Sequence, residues 1–159
     1  MSKELKTNAM RMLDKLKIPY DFETYECEEF EDGVQIAKLL GESPEMTFKT
    51  LVTVGKSAAY YVFVLPVDRE MDLKKCAKAV GEKSLEPIHV KDIQSITGYI
   101  RGGCSPIGMK KSFRTVIHES AKHLDTVIVS GGRLGLQLKL TPENLIKACS
   151  GEFADIAAI

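Results

Sequence analysis

The chain has 159 residues, and its 22 Lys and Arg are balanced by 22 Asp and Glu, giving a formal net charge of zero. Length and a 44% hydrophobic content fit one domain over residues 1–159 and exclude disorder. The charge balance argues against a broad basic surface for nucleic acid, but leaves room for a local basic cleft. No apolar run is long enough to span a membrane, and the charged N-terminal stretch lacks the apolar segment of a secretory signal. A cytoplasmic protein with no membrane partner is therefore expected. Cys27, Cys76, Cys104 and Cys149 form no CxxC pair, and His89, His118 and His123 form no HxxxH or HExxH pattern. Reduced thiols, no metal and no cofactor follow as expectations.

Leu5, Ala9, Met12, Leu13 and Leu16 recur at helical steps, with Met10 off the stripe, and Pro19 ends that helix. Tyr20, Phe22 and Thr24 alternate with acids, as in a half-buried strand. The run from Asp21 to Asp32 carries seven acids and no base, which reads as a solvated face or a partner surface. Residues 33–40 predict a short helix stopped by Gly41. Residues 46–54 and 59–67 predict two strands joined as a hairpin around Gly55 and Lys56. Residues 68–80 predict a helix closed by Gly81, and residues 90–99 a weaker one. Phe113 to Ile117, Thr126 to Val129 and Leu136 to Leu140 read as strands. Thr141 caps a last helix, with Pro142 in its first turn. Helices and strands in this order predict an α+β fold.

Three features carry chemistry. The segment 98–108 holds four glycines, a proline and a serine. Such a loop is either a tight turn or a backbone nest for an anion. It matches neither GxxxxGK[ST] nor GxGxxG, which weakens a nucleotide reading. Cys104 and Ser105 lie in it without the G-x-S-x-G elbow of a serine nucleophile. A second glycine loop spans Ser130 to Gly135. Lys49 interrupts the β-branched strand MTFKTLVTV, where it faces solvent or points into a polar site able to hold a phosphate or oxyanion. Residues 93–118 contain no acid but include Arg101, Lys110, Lys111 and Arg114, and the second loop adds Arg133. These five are candidate contacts for a phosphate backbone or an RNA end around a positive mouth, with a solvated basic loop as the alternative.

Together, Thr47-Phe-Lys-Thr-Leu51, the loop GYIRGGCSPIGMKK from Gly98 to Lys111, and VSGGRLGL from Val129 to Leu136 resemble the YbaK/EbsC family. These are free-standing aminoacyl-tRNA editing proteins, related to the editing domain inserted in bacterial prolyl-tRNA synthetases. The similarity runs from Ile18-Pro-Tyr20 to Leu145, and within the family it points to the Cys-tRNA(Pro) deacylases. It implies a single α+β domain with a mixed, strongly curved, barrel-like sheet surrounded by helices. It implies hydrolysis of the ester between an amino acid and the terminal ribose of tRNA. Lys49 and Gly103 would be the catalytic positions, with Lys49 near the 3'-terminal phosphate or ribose. Tyr20, Phe30, Thr50, Gly102, Ser105, Pro106, Gly108, Ser130 and Gly131 would line the substrate pocket. In the cysteine-specific members the substrate's own thiol attacks its ester, so no protein nucleophile is needed and Cys104 has no covalent role. The implied partners are the 3' end of tRNA(Pro) and prolyl-tRNA synthetase, met by a monomer or weak dimer. A non-catalytic module binding a tRNA end or a synthetase, and a deacylase for Ala or Ser, are the alternatives.

Overall fold

The computed structural model describes residues 6–27 and 32–159. Helix α1, Asn8–Leu16, starts where the Thr7 side chain accepts a hydrogen bond from the Met10 N–H, and it stops at Lys17 in the left-handed conformation. The helix thus ends before Pro19. Met10 lies on its buried face, and Leu16 is exposed. Strand β1, Asp21–Thr24, follows, then helix α2, Gly33–Leu39, capped by the Asp32 carboxylate. Strands β2, Phe48–Gly55, and β3, Tyr60–Pro66, form the expected antiparallel hairpin. Helix α3 spans Leu73–Val80 and begins later than the pattern implied, because Asp72 supplies the cap to Lys74 and Lys75.

Strand β4, Leu85–Pro87, precedes a 3-10 turn over Val90–Asp92 and helix α4, Ile93–Thr97. Strand β5, Arg114–His118, runs into a second 3-10 turn, Glu119–His123. Strands β6, Val127–Ser130, and β7, Leu136–Leu140, flank the second glycine loop. Helix α5, Pro142–Cys149, starts at the Thr141 cap, and strand β8, Glu152–Ala154, follows. Among the described residues no helix is long and apolar enough to cross a membrane.

The strands make two sheets, ordered β4-β2-β3-β5-β8 and β1-β7-β6. The first is mixed, because β5 runs parallel to both β3 and β8. One parallel bridge between Thr47 and Ile128 connects the two sheets. The single barrel-like sheet implied by the resemblance is therefore corrected. The strands divide into two open sheets, since among the described residues the backbone pairing between them is limited to that bridge, at Thr47 just before β2. The core forms on both sides of β3. Val62 and Val64 pack with α1, α5 and the apolar face of the smaller sheet, while Phe63 and Leu65 pack under α3. Burial of both faces explains why β3 reads as an almost unbroken apolar run.

The loop between α4 and β5 is packed into this core. Ser105, Pro106 and Ile107 are buried, and the Ser105 hydroxyl accepts from the Ile107 N–H at 3.2 Å. Gly108 has φ +74°, and a Cβ there would lie 2.7 Å from the Asn8 carbonyl oxygen. Gly108→Ala is expected to destabilise the fold by about 2 kcal/mol or more, through strain plus a backbone clash. Gly81→Ala, at φ +77° with nothing within 4 Å, should cost only about 1 kcal/mol. Urea unfolding of both variants checks this, and equal losses contradict the packing account.

Candidate active site

Strand β2 is paired with β3 along its whole length, but β4 covers the other side only from Thr53 to Gly55. The Ile88 N–H donates to the Val52 carbonyl at 3.1 Å, so Val52 points its backbone away from β3. At the other end the Ile128 N–H donates to the Met46 carbonyl at 2.8 Å, on the same side. By alternation, Phe48 and Thr50 turn their backbone groups to the same uncovered side. Between the two attachment points lies a cavity of about 500 Å³.

Its walls follow from that gap. The Thr47–Val52 stretch forms one wall. The polar face of the smaller sheet forms another, through Ile128, Ser130 and Gln137. Asp32, Gly33 and Ile36 approach from the start of α2, Val67 and Met71 from the turn after β3, and Ile88, Val90 and Ile93 from the segment leading into α4. Arg101, Gly102 and Cys104 close it from the first glycine loop. The lining is mostly apolar with a few convergent polar groups, as in small-ligand sites.

The structure brings Lys49, Thr50, Gly102, Ser130 and Arg101 together on this cavity. Lys49 is half-buried, and no carboxylate among the described residues forms an ion pair with it. Burial pushes its pKa below the usual 10.5, while Asp32, Glu70 and Asp68 pull it back up. The Thr50 Oγ1 is buried and has no hydrogen-bond partner among the described residues. Both residues line the cavity. Cys104 is a poor nucleophile here, because burial raises its thiol pKa to about 11, opposed by Thr97.

Other expected positions lie elsewhere. Gly103 is buried behind the cavity, where a Cβ would sit 2.8 Å from Arg133 Cα, and its N–H is committed to the Ile100 carbonyl at 3.0 Å. The geometry gives it a packing role and leaves no free backbone donor for an oxyanion. The Gly131 N–H bonds to the Leu136 carbonyl, and the Thr7 hydroxyl donates to the Gly131 carbonyl. Ser105, Pro106 and Gly108 are structural in the same sense, and Tyr20 packs beside Asp14 at the end of α1. Phe30 lies outside the described residues. Among the basic candidates, Arg114 pairs with Glu152 and donates to the Ala79 and Val80 carbonyls at the end of α3. Lys110 donates to the Ser95 carbonyl, Lys111 is exposed away from the cavity lining, and Arg133 lies against Gly103. Only Arg101 of the five reaches the cavity.

Sequence reasoning missed a buried polar pair. Gln137 is 5% exposed, and with its amide nitrogen facing Glu42 it donates to both carboxylate oxygens, at 2.8 and 3.0 Å. Burial pushes the Glu42 pKa up, and Lys139 at 3.7 Å works against that. The signal was available. Gln137 interrupts the alternating leucines of β7 and stands in register with Ser130.

The family profile described as aminoacyl-tRNA editing domain matches residues 27–148. A protein of Enterococcus faecalis, provisionally named Cys-tRNA(Pro)/Cys-tRNA(Cys) deacylase EbsC, is 47% identical over 95% of this chain and 93% of its own. A proline–tRNA ligase of Streptococcus uberis is 23% identical over 98% of this chain, which spans 25% of the ligase. A solved structure described as a candidate trans-editing enzyme for prolyl-tRNA synthetase superposes with a TM-score of 0.83 at 21% identity, covering 98% of this chain and 99% of that one.

Because the Thr50 hydroxyl has no protein partner, Thr50→Val should leave stability within about 0.5 kcal/mol of the parent. Thermal and urea unfolding measure this. A loss above about 1 kcal/mol would show that the hydroxyl is part of the fold and is not available to a ligand.

Proposed function

The chain belongs to the aminoacyl-tRNA editing domain family, and we propose that it hydrolyses mischarged aminoacyl-tRNA, cysteine on tRNA(Pro) above all. The observation that carries this reading is the half-buried ammonium of Lys49, without an ion pair among the described residues, at the edge of an apolar cavity. A phosphate is the natural counter-charge for such a group. Lys49 takes the phosphate of the terminal nucleotide, and Arg101 at the rim takes the approaching strand. The aminoacyl group then lies between Thr50, Ser130 and Gly102. The small apolar volume beyond them accepts a compact side chain and excludes water.

Among the described residues no histidine lines the cavity to activate Ser130 or Cys104. The substrate supplies its own nucleophile instead. The cysteine Sγ attacks the ester carbonyl carbon, the bond to the ribose oxygen breaks, and that oxygen takes up a proton as the thiol loses one. Free tRNA and a cyclic thiolactone leave, and water opens the thiolactone in solution. The protein contributes orientation and a polar setting for the developing charge. Such chemistry rejects amino acids without a thiol more strongly than shape alone, which separates them by only about 1–3 kcal/mol per methylene. In the cytoplasm the protein acts as a monomer or weak dimer, with prolyl-tRNA synthetase as its partner for tRNA selection.

The missing nucleophile also favours a second reading, a module that holds a tRNA end without turnover. A panel of Cys-tRNA(Pro), Cys-tRNA(Cys), Ala-tRNA(Pro) and Ser-charged tRNA, with and without prolyl-tRNA synthetase, separates them by ester loss and thiolactone release. Acceleration for cysteine alone is expected. Faster loss of Ala or Ser ester overturns the thiol mechanism, and binding without turnover selects the second reading.

Lys49→Met should lower kcat/KM by about tenfold to a hundredfold, as for a lost charge-assisted hydrogen bond. The parent's affinity for the tRNA end should fall as pH rises through the lowered Lys49 pKa, below 10.5, because only the protonated amine pairs with phosphate. That fall should be absent in Lys49→Met. Binding curves across alkaline pH test it, and identical profiles remove Lys49 from the phosphate site.

A further inference from the structure

A second cavity, of about 460 Å³, lies beside the second 3-10 turn and shares no lining residue with the first. It is lined by Arg69, His118, Glu119, Ser120, Lys122 and His123. The deacylation chemistry uses none of them.

His118 is 4% exposed, and both of its ring nitrogens face donors. Nδ1 lies 3.2 Å from the Ile156 N–H, and Nε2 lies 3.2 Å from Arg69 Nη1. A neutral imidazole has one acceptor nitrogen, and a guanidinium never accepts. If Nδ1 accepts from Ile156, the Nε2–H is set against the Arg69 N–H. The other tautomer sets Nδ1–H against the Ile156 N–H. Asp155 stands 3.9 Å from Nδ1, too far to accept a good hydrogen bond from it. A buried donor facing a donor is costly unless an acceptor comes between them.

Two more observations point the same way. The Ser120 Oγ is buried and has no hydrogen-bond partner among the described residues. Arg69 is already held in place, because its Nη2 donates to the Ala158 carbonyl at 2.9 Å. Lys122, whose ammonium sits 5.5 Å from the Phe153 ring centroid, adds a second fixed positive charge against the single carboxylate of Glu119. Donors thus converge on one concavity with little to accept from them.

We infer that this cavity binds a phosphate-class oxyanion, whose oxygens accept from Arg69 Nη1, His118 Nε2–H and the Ser120 hydroxyl, with Lys122 balancing the charge. The site stands independently of the deacylase reading. The anion is either a small phosphate or an internucleotide phosphate of RNA. Arg69 lies in the turn whose Val67 and Met71 line the first cavity, so one short segment borders both.

The test is a titration of the isotope-labelled chain with inorganic phosphate, followed by backbone and imidazole NMR shifts. Sodium chloride at matched ionic strength is the control. Saturable shifts at His118 and residues 119–123 are expected with phosphate and not with chloride. Because Arg69 also anchors Ala158, Ser120→Ala and Lys122→Gln carry the mutational arm. Each should weaken phosphate by about threefold to tenfold. Lys49→Met should leave this binding unchanged, which separates its failure from failure of the deacylase reading. Shifts that do not saturate, that chloride reproduces, or that survive both substitutions at full affinity overturn the site. With phosphate bound, competition by an RNA hairpin identifies a backbone phosphate as the source, and competition by glycerol phosphate alone identifies a small one.

Discussion

The candidate active site depends on strand β2 being covered on one side for only part of its length. The hairpin with β3 is continuous, but β4 and β6 attach at opposite ends of the other side. An open strand edge usually invites association with another chain. Here the edge is turned inward and roofed by α2, the smaller sheet and the first glycine loop. Backbone groups that a complete sheet would have consumed therefore line a cavity. The same incompleteness keeps the two sheets from closing into a barrel.

The polar groups around that edge are handled in contrasting ways. Glu42 is buried but surrounded by the Gln137 amide and Lys139, so its carboxylate has partners. Among the described residues, Lys49 has no ion-pair partner and the Thr50 hydroxyl no hydrogen-bond partner. Burial lowers the Lys49 pKa, and three nearby acids restore part of the charge without reaching ion-pair distance. An amine in that state can bind an anion without first breaking a salt bridge. A satisfied network beside unsatisfied groups marks where the fold ends and ligand chemistry begins.

The legibility of each element in the sequence followed from how many constraints it satisfied at once. Strand β3 was plain because both faces are buried, and α5 because Thr141 and Pro142 mark its start. Strands β4 and β8 left no sign, since three-residue strands held by neighbours carry no periodicity. Lys49 was legible as a charge in a β-branched strand. The glycines of the first loop were legible as a backbone requirement, but not their purpose. Gly103 and Gly108 serve close packing against Arg133 and Asn8, and only Gly102 touches the cavity. Gln137 was legible as a polar residue among the leucines of β7, but its pairing with Glu42 was not, because the two are distant in sequence.

The balance of charges takes on a sharper meaning in three dimensions. The acid-free stretch from Ile93 to His118 looks like one basic patch when read along the chain. In space it disperses, because β5 carries Arg114 to the end of α3 while Arg101 stays at the cavity rim. What remains is a pair of cations at each concavity, Lys49 with Arg101 at the first and Arg69 with Lys122 at the second, with acids nearby. A protein built this way has little general attraction for a polyanion, since its far field averages to zero. It can still hold one phosphate at a time, where burial strengthens a single charge over the short distance of contact. Recognition of a single phosphate at close range fits that field better than binding along an RNA duplex does.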